Sequence, residues 1–261
     1  MLSLLYVIIS GIALPIGGVQ MQYLWRNQLG DVYSLGLGSA ACLGAAAATM
    51  SGWCSLTVGS FICTLICTVI CFFVTLRVST QNLITFGILF GTFIGSLGTI
   101  VVTNAPNSDL LKQYYIWGAA NFNLEGVTTG DIIFSLALFA IGLAAAVWTA
   151  RKLTSHMKGE IELSNMYKAL LLLAIMFLVT SAVSICGPIG FIGLAVPHVA
   201  RMVFASADHR TLMPASMLIG AVVLLLCDVI SKQLGFPVNT ITALLGIPIV
   251  VLVVVRKKSL F

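Results

Sequence analysis

The sequence predicts an all-α membrane protein, a polytopic bundle of about nine transmembrane helices. Composition is the first ground. Hydrophobic residues fill 59% of the 261 positions and charged residues only 8%, with a mean hydropathy of +1.09. A soluble domain carries about 25% charged residues, so this chain lacks the polar surface to face water. The second ground is pattern. Nine apolar segments run over 1–24, 33–51, 56–76, 83–103, 131–150, 169–186, 187–204, 214–232 and 241–255. Most approach the roughly 20 residues that cross a hydrocarbon core about 30 Å thick.

The third ground is the placement of cations. With the C-terminus set on the cytoplasmic side and the segments alternating, eleven cations fall inside: Arg26, Arg77, Arg151, Lys152, Lys158, Lys168, Arg201, Arg210, Arg256, Lys257 and Lys258. Only Lys112 and Lys232 fall outside. That asymmetry is the positive-inside bias, and one helix more or fewer in the middle would scramble it. Nine crossings with the C-terminus inside place Met1 outside.

Taken in order, the first segment lacks a basic n-region and contains Pro15, Gln20 and Gln22 without a small-residue cleavage site, so it reads as a retained helix. The third carries Cys63, Cys67 and Cys71, four apart and therefore on one face. They read as small packing residues; a thiol metal site would want a polar second shell. The fourth carries Gly87, Gly91 and Gly95 four apart, with Thr99 continuing the row and Thr92 and Ser96 beside it. Small residues at this spacing allow close helix packing, and equally a smooth, mildly polar wall along a pathway.

The link 104–130 contains Trp117 and two Tyr, which suits a short helix lying at the interface. Pro188 and two Gly separate the sixth and seventh segments, so that pair also reads as one broken helix. Among acidic residues only Asp228 lies in an apolar run, four before Lys232, a spacing that favours an ion pair. Carriers coupled to protons or sodium hold carboxylates near mid-membrane, so the pattern points to transport powered from elsewhere.

The chain contains no Gly-Lys pair and hence no P-loop. His156, His198 and His209 are scattered, without metal-ligand spacing, and no nucleophile, base and acid can be grouped. No enzyme, no metal site and no nucleic-acid partner is expected. The single domain 1–261 has no soluble part; its largest cytoplasmic loop, 151–168, is large enough only to be a docking surface.

The segment Gly187, Pro188, Gly190, Phe191 and Gly193 through Pro197 and His198 to Arg201 is the most distinctive. It resembles the signature of the FecCD-type permeases of iron–siderophore, haem and cobalamin ABC importers. Asp208-His209-Arg210, Ser216, Asp228, Pro237-Val238 and Thr242 through Gly246 to Pro248 resemble the family's C-terminal motifs. Gly11, Gly18, Gln22, Arg26-Asn27 and Leu35-Gly36 to Ala41 match another near the start, and Ile116-Trp117-Gly118 a third.

The resemblance implies two permease subunits around a central pathway, in a homodimer or a pseudo-symmetric heterodimer. Two cytoplasmic ATPases would bind ATP and Mg, and an extracytoplasmic binding protein would deliver substrate. It implies a bacterial cytoplasmic (inner) membrane location. It implies that Leu153 to Asn165 holds a coupling helix with Gly159-Glu160 at its centre, and that Lys232 takes the place of a docking arginine. Gly87, Gly91, Gly95, Ser96 and Thr99 are the expected pathway wall. The family usually has ten helices, and this chain would begin at the second, leaving either an upstream start or a subunit that docks weakly through Lys232 and the 104–130 link. Asn27-Gln28-Leu29-Gly30 stands where Asn-Pro-Leu-Ala is usual, and the stretch after Asn165 is short. A permease for a metal oxyanion such as molybdate, or for a free metal ion, and a truncated non-transporting protein are the alternatives.

Overall fold

The structure, a computed structural model, describes residues 2–78, 80–124, 127–204 and 208–255. Among them stand ten helices and no strand. They are α1 (Leu2–Leu24), α2 (Leu37–Ser51), α3 (Leu56–Thr75), α4 (Thr80–Thr103), α5 (Ser108–Gly118), α6 (Thr129–Met157), α7 (Asn165–Cys186), α8 (Ile192–Phe204), α9 (His209–Leu234) and α10 (Val238–Val255). Nine correspond to the nine apolar segments, and α5 is the short helix expected in the 104–130 link. Six are long and apolar enough to cross a bilayer, and α2, α8 and part of α10 are shorter apolar helices.

α1 forms the centre. It is buried over most of its length and packs against α6, α7, α8 and α9. α2, α3 and α4 form a second group joined through α7, and α10 closes on α8 and α9. Two crossings of α1 have no room for side chains. A methyl group at Gly18 would lie 2.6 Å from the carbonyl carbon of Gly193 in α8, and one at Gly11 would lie 2.7 Å from the carbonyl oxygen of Gly220 in α9. Backbone-to-backbone approach of this kind is how helices associate without a hydrophobic driving force.

Helix starts follow local chemistry. Ser55, Asn107, Thr128, Ser164 and Asp208 each accept a backbone N–H from the first turn of α3, α5, α6, α7 and α9. Several ends depart from the sequence reading. The 151–168 segment is not one loop: α6 runs on to Met157 and α7 begins at Asn165, leaving 158–164 between them with no helix of its own. The five residues before Ile192 are irregular, because Gly187 adopts φ +77° and Pro188 cannot continue α7. Residues 33–36, drawn as helix, form a connection ending in Gly36 at φ +73°.

All seven cysteines are free thiols. Cys67 and Cys71 sit 4.0 Å apart and both donate to the carbonyl of Leu35. Among the described residues no group of three or more metal-ligating side chains exists.

Candidate functional site

One end of the bundle gathers eight of the described cations, Arg26, Arg77, Arg151, Lys152, Lys158, Lys168, Arg201 and Arg210, and the other end holds Lys112 and Lys232. Arg256, Lys257 and Lys258 lie outside the described residues. At the basic end the Arg26 side chain ties the 158–164 connection to the rest of the subunit. Arg26 Nε donates to the His156 carbonyl at 2.7 Å, and its Nη2 reaches His156 Nδ1 at 3.1 Å, the Ile161 carbonyl at 3.2 Å and Glu162 Oε1 at 2.7 Å. His156, itself buried, reaches the Leu24 carbonyl through Nε2.

The backbone prepares this clamp. Asn27 N–H bonds the Gln22 carbonyl and Arg26 N–H bonds that of Tyr23, the paired bonds that end a helix with a left-handed residue. That residue is usually Gly; here it is Arg26 at φ 48°, a conformation costing a non-Gly residue roughly 1–2 kcal/mol. The four guanidinium bonds offset it. α6 ends in the same way with Gly159 at φ +77°: Glu160 N–H bonds the Ser155 carbonyl and Gly159 N–H that of His156. Gly159 is open to solvent, so its conformation, and not space, selects glycine. Gly159→Asn is therefore expected to keep the loop closed, and Gly159→Val to open it at a cost of about 1–2 kcal/mol. Faster tryptic cleavage after Lys158 in Gly159→Val alone checks this.

The Arg26 guanidinium bonded to Glu162 holds that carboxyl below the usual carboxylate range. Glu162 contributes to loop closure above its ordinary pKa, and the contribution is lost as pH falls through the lowered value. The protection factors of residues 158–164, which correct hydrogen exchange for its intrinsic pH dependence, are expected to fall at pH below the normal carboxylate range and to stay constant there in Glu162→Gln. The neighbouring Asp208 is also lowered, chiefly by the Arg210 N–H. It accepts from the Thr154 hydroxyl at 3.0 Å, which joins α6 to the start of α9.

Of the three expected coupling residues, Gly159 and Glu160 are exposed at this loop, whereas Leu153 is fully buried in the core beneath it. Leu153 therefore does not present itself at the surface. Ile161, which follows Glu160, is exposed, and so is Met166 in the first turn of α7. Arg26 belongs to the start motif and Glu162 to none, and nothing local links them: their pairing spans 136 residues of sequence.

The distinctive segment 187–201 threads between α1, α5 and α10. Gly187 lies against the backbone of Trp117 and Ala120. Gly190 N–H donates to Asn239 Oδ1 at 2.9 Å. Phe191 adopts φ 66° and lays its side chain against Gly246 of α10, where a Cβ would lie 2.5 Å from that of Phe191. Pro188 lines a small cavity beneath α5, while Pro197 and Pro248 sit inside α8 and α10. His198 and Arg201 are buried; His198 faces the Gln28 backbone and Arg201 lies within electrostatic reach of Tyr23. Tyr23 also meets His209 edge-on at 4.8 Å.

Asp31 lies in the connection between α1 and α2. The structure folds it inward beside the middle of α1: a methyl group on Gly193 would lie 2.5 Å from Asp31 Oδ1 and 3.1 Å from the Leu14 carbonyl oxygen. Asp31 Oδ1 is buried without a hydrogen-bond partner.

The small-residue row of α4 divides in two. At Gly87 a methyl group would lie 2.9 Å from the Ser34 carbonyl carbon, and at Gly91 3.3 Å from Gly36 Cα, so these two hold α4 against the 33–36 connection. Gly95 faces open space. With Gly98 and Thr99 it borders a cavity of about 270 Å³ shared with Tyr33, Ser39 and Tyr114. Ser96 is exposed on the adjoining face. At the end away from Arg26, Lys232 Nζ pairs with Asp228 at 2.6 Å, and both border a groove of about 630 Å³ reached by Ser3, Phe122 and Pro237.

An all-helical, charge-poor bundle with six helices long and apolar enough to cross a bilayer has the form of a multi-pass membrane protein. The chain belongs to the FecCD transport family, whose model matches residues 1–256. It is a permease subunit of the ABC-importer class. The ABC transporter permease protein YvrB of Bacillus subtilis is 30% identical over 268 residues, covering 95% of this chain and 74% of the relative. The vitamin B12 import system permease protein BtuC of Klebsiella pneumoniae is 30% identical over 271 residues, 98% of this chain and 80% of the relative. A solved ABC transporter described as of the metal-chelate type, in an inward-facing conformation, shares the fold with a TM-score of 0.86 at 22% identity, over 98% of this chain and 85% of that one. PsaBC from Streptococcus pneumoniae shares it less closely, with a TM-score of 0.66 at 14% identity over 96% and 89%.

Proposed function

We propose that this chain carries an iron chelate, haem or cobalamin across a bacterial cytoplasmic membrane, with its basic end and C-terminus inside. Two copies would flank a shared pathway. Separate ATPase subunits would hydrolyse ATP with Mg beneath the 158–164 loop, and a binding protein would dock on the Lys232 groove. The observation that carries the reading is the Arg26 clamp. It fixes Gly159, Glu160 and Ile161 as an exposed knob, rigidly tied to α1, which packs against four other helices. A push on that knob is therefore delivered to the centre of the bundle.

The open face from Gly95 through Ser96 to Thr99 supports passage of a bulky, weakly held cargo, because it presents small and hydroxyl groups and no charge. The BtuC relatives favour cobalamin among the three substrate classes. The reading is tested by reconstituting the chain with its ATPase and binding protein and measuring ATP hydrolysis with cobalamin, haem and ferric siderophores. Stimulation by one of them, lost in Glu160→Arg, is expected. Equal hydrolysis with and without every ligand contradicts the reading.

A further inference from the structure

The exposed face of α6 is a single stripe. Ile133, Ala137, Ile141, Ala144 and Trp148 are exposed at helical spacing, and the stripe continues into Arg151 and Lys152. On a membrane-spanning helix such an apolar stripe faces acyl chains, and an exposed Trp at its end marks the depth of the headgroups. Arg151 and Lys152, one turn further on, therefore stand at the phosphate layer.

The cations are held in place by neighbouring rings. Trp148 stacks on Tyr167 of α7 with centroids 5.9 Å and planes 29° apart. Lys152 Nζ lies 5.6 Å from the centroid of the same Tyr167 ring. The Tyr167 hydroxyl donates to the Thr149 carbonyl, which fixes the ring between the two helices. Lys168 follows on α7. Among the described residues no ion pair engages Arg151 or Lys152. The carboxylate that bears on Lys168 is Glu162, which Arg26 already binds.

We propose that Arg151 and Lys152, on the Trp148–Tyr167 platform, bind the phosphate of an anionic phospholipid headgroup. Arg supplies a planar fork for phosphate oxygens and Lys a point charge. The occupant is a lipid and not a free phosphate because the cations end a stripe that acyl chains must cover. This site rests on the membrane fold alone, so its failure would leave the import reading untouched.

The test is native mass spectrometry of the full chain in mild detergent, titrated with phosphatidylglycerol, phosphatidylcholine or inorganic phosphate. One tightly retained phosphatidylglycerol per chain is expected, weakened by salt. Arg151→Gln with Lys152→Gln is expected to lower its affinity by about tenfold or more, at about fivefold for each cation near the membrane surface. Lys152→Arg is expected to retain it, and Lys232→Gln, at the other end, to leave it unchanged. Both changed residues are exposed, and an unaltered melting temperature of the double variant in detergent separates lipid loss from misfolding. Equal retention of phosphatidylglycerol and phosphatidylcholine, equal retention by wild type and double variant, or displacement by equimolar inorganic phosphate would overturn the proposal.

Discussion

Gly18→Ala is expected to abolish accumulation of folded protein in the membrane. The added methyl would lie 2.6 Å from the Gly193 carbonyl carbon and closer still to its oxygen, and both partners are backbone. Neither α1 nor α8 can yield: α1 is also locked at Gly11 against Gly220, and α8 is fixed behind by Asp31 and Val32 at Gly193. Overpacking of this kind costs about 3 kcal/mol or more, a large part of the 5–15 kcal/mol that a typical fold has in total (about that range). Gly130→Ala is the control, since the nearest atom to its methyl, Thr128 Oγ1, stands 3.7 Å away at ordinary contact distance. Membrane-fraction immunoblots and melting in detergent check the pair: Gly18→Ala lost, Gly130→Ala indistinguishable from wild type.

The second large effect is on passage and not on folding. Gly95→Trp is expected to leave the protein folded and to reduce uptake about 100-fold or more, a barrier increase of about 2.7 kcal/mol. A side chain at Gly95 meets open space, so the fold tolerates it. The indole would fill the cavity of about 270 Å³ and project from the α4 face. Gly87→Ala gives the contrast, because its methyl meets the Ser34 carbonyl and damages the fold itself. Transport and melting temperature measured on both variants separate wall from packing. Unaltered uptake through Gly95→Trp would place the pathway on another face.

The number and order of helices were legible in the sequence because bilayer crossing imposes length and hydropathy on each segment, and alternation imposes sign on each loop. The ends were less legible. Arg151 and Lys152 read as a helix end, yet α6 continues for more than a turn beyond them because nothing before Gly159 breaks it. The α7 start was placed four residues late, although Ser164 caps it by accepting from Tyr167 N–H. Residues 187–191 read as helix by hydropathy, while Gly187 and Pro188 forbid it.

Within the candidate site, Gly159 and Glu160 were visible as a local pair and are exposed where expected. The pairing of Arg26 with His156 and Glu162 was not, because a clamp between distant segments leaves no spacing to read. Asp31 was hidden for a related reason: its loop polarity in sequence gives no sign that the 25–36 connection turns back into the bundle. The row Gly87, Gly91 and Gly95 was read as one surface, and the 33–36 connection covers two of its three members.

The central claim is that this chain moves a bulky ligand inward when ATP is hydrolysed at the end braced by Arg26. The direct measurement is uptake of radiolabelled cobalamin, haem or ferric siderophore into proteoliposomes holding the chain and its ATPase, with binding protein outside and ATP inside. The account predicts ATP-dependent accumulation of one of these ligands in wild type and its loss in Arg26→Ala with the protein still folded. Accumulation of none of them, or uptake unchanged in Arg26→Ala, would contradict it.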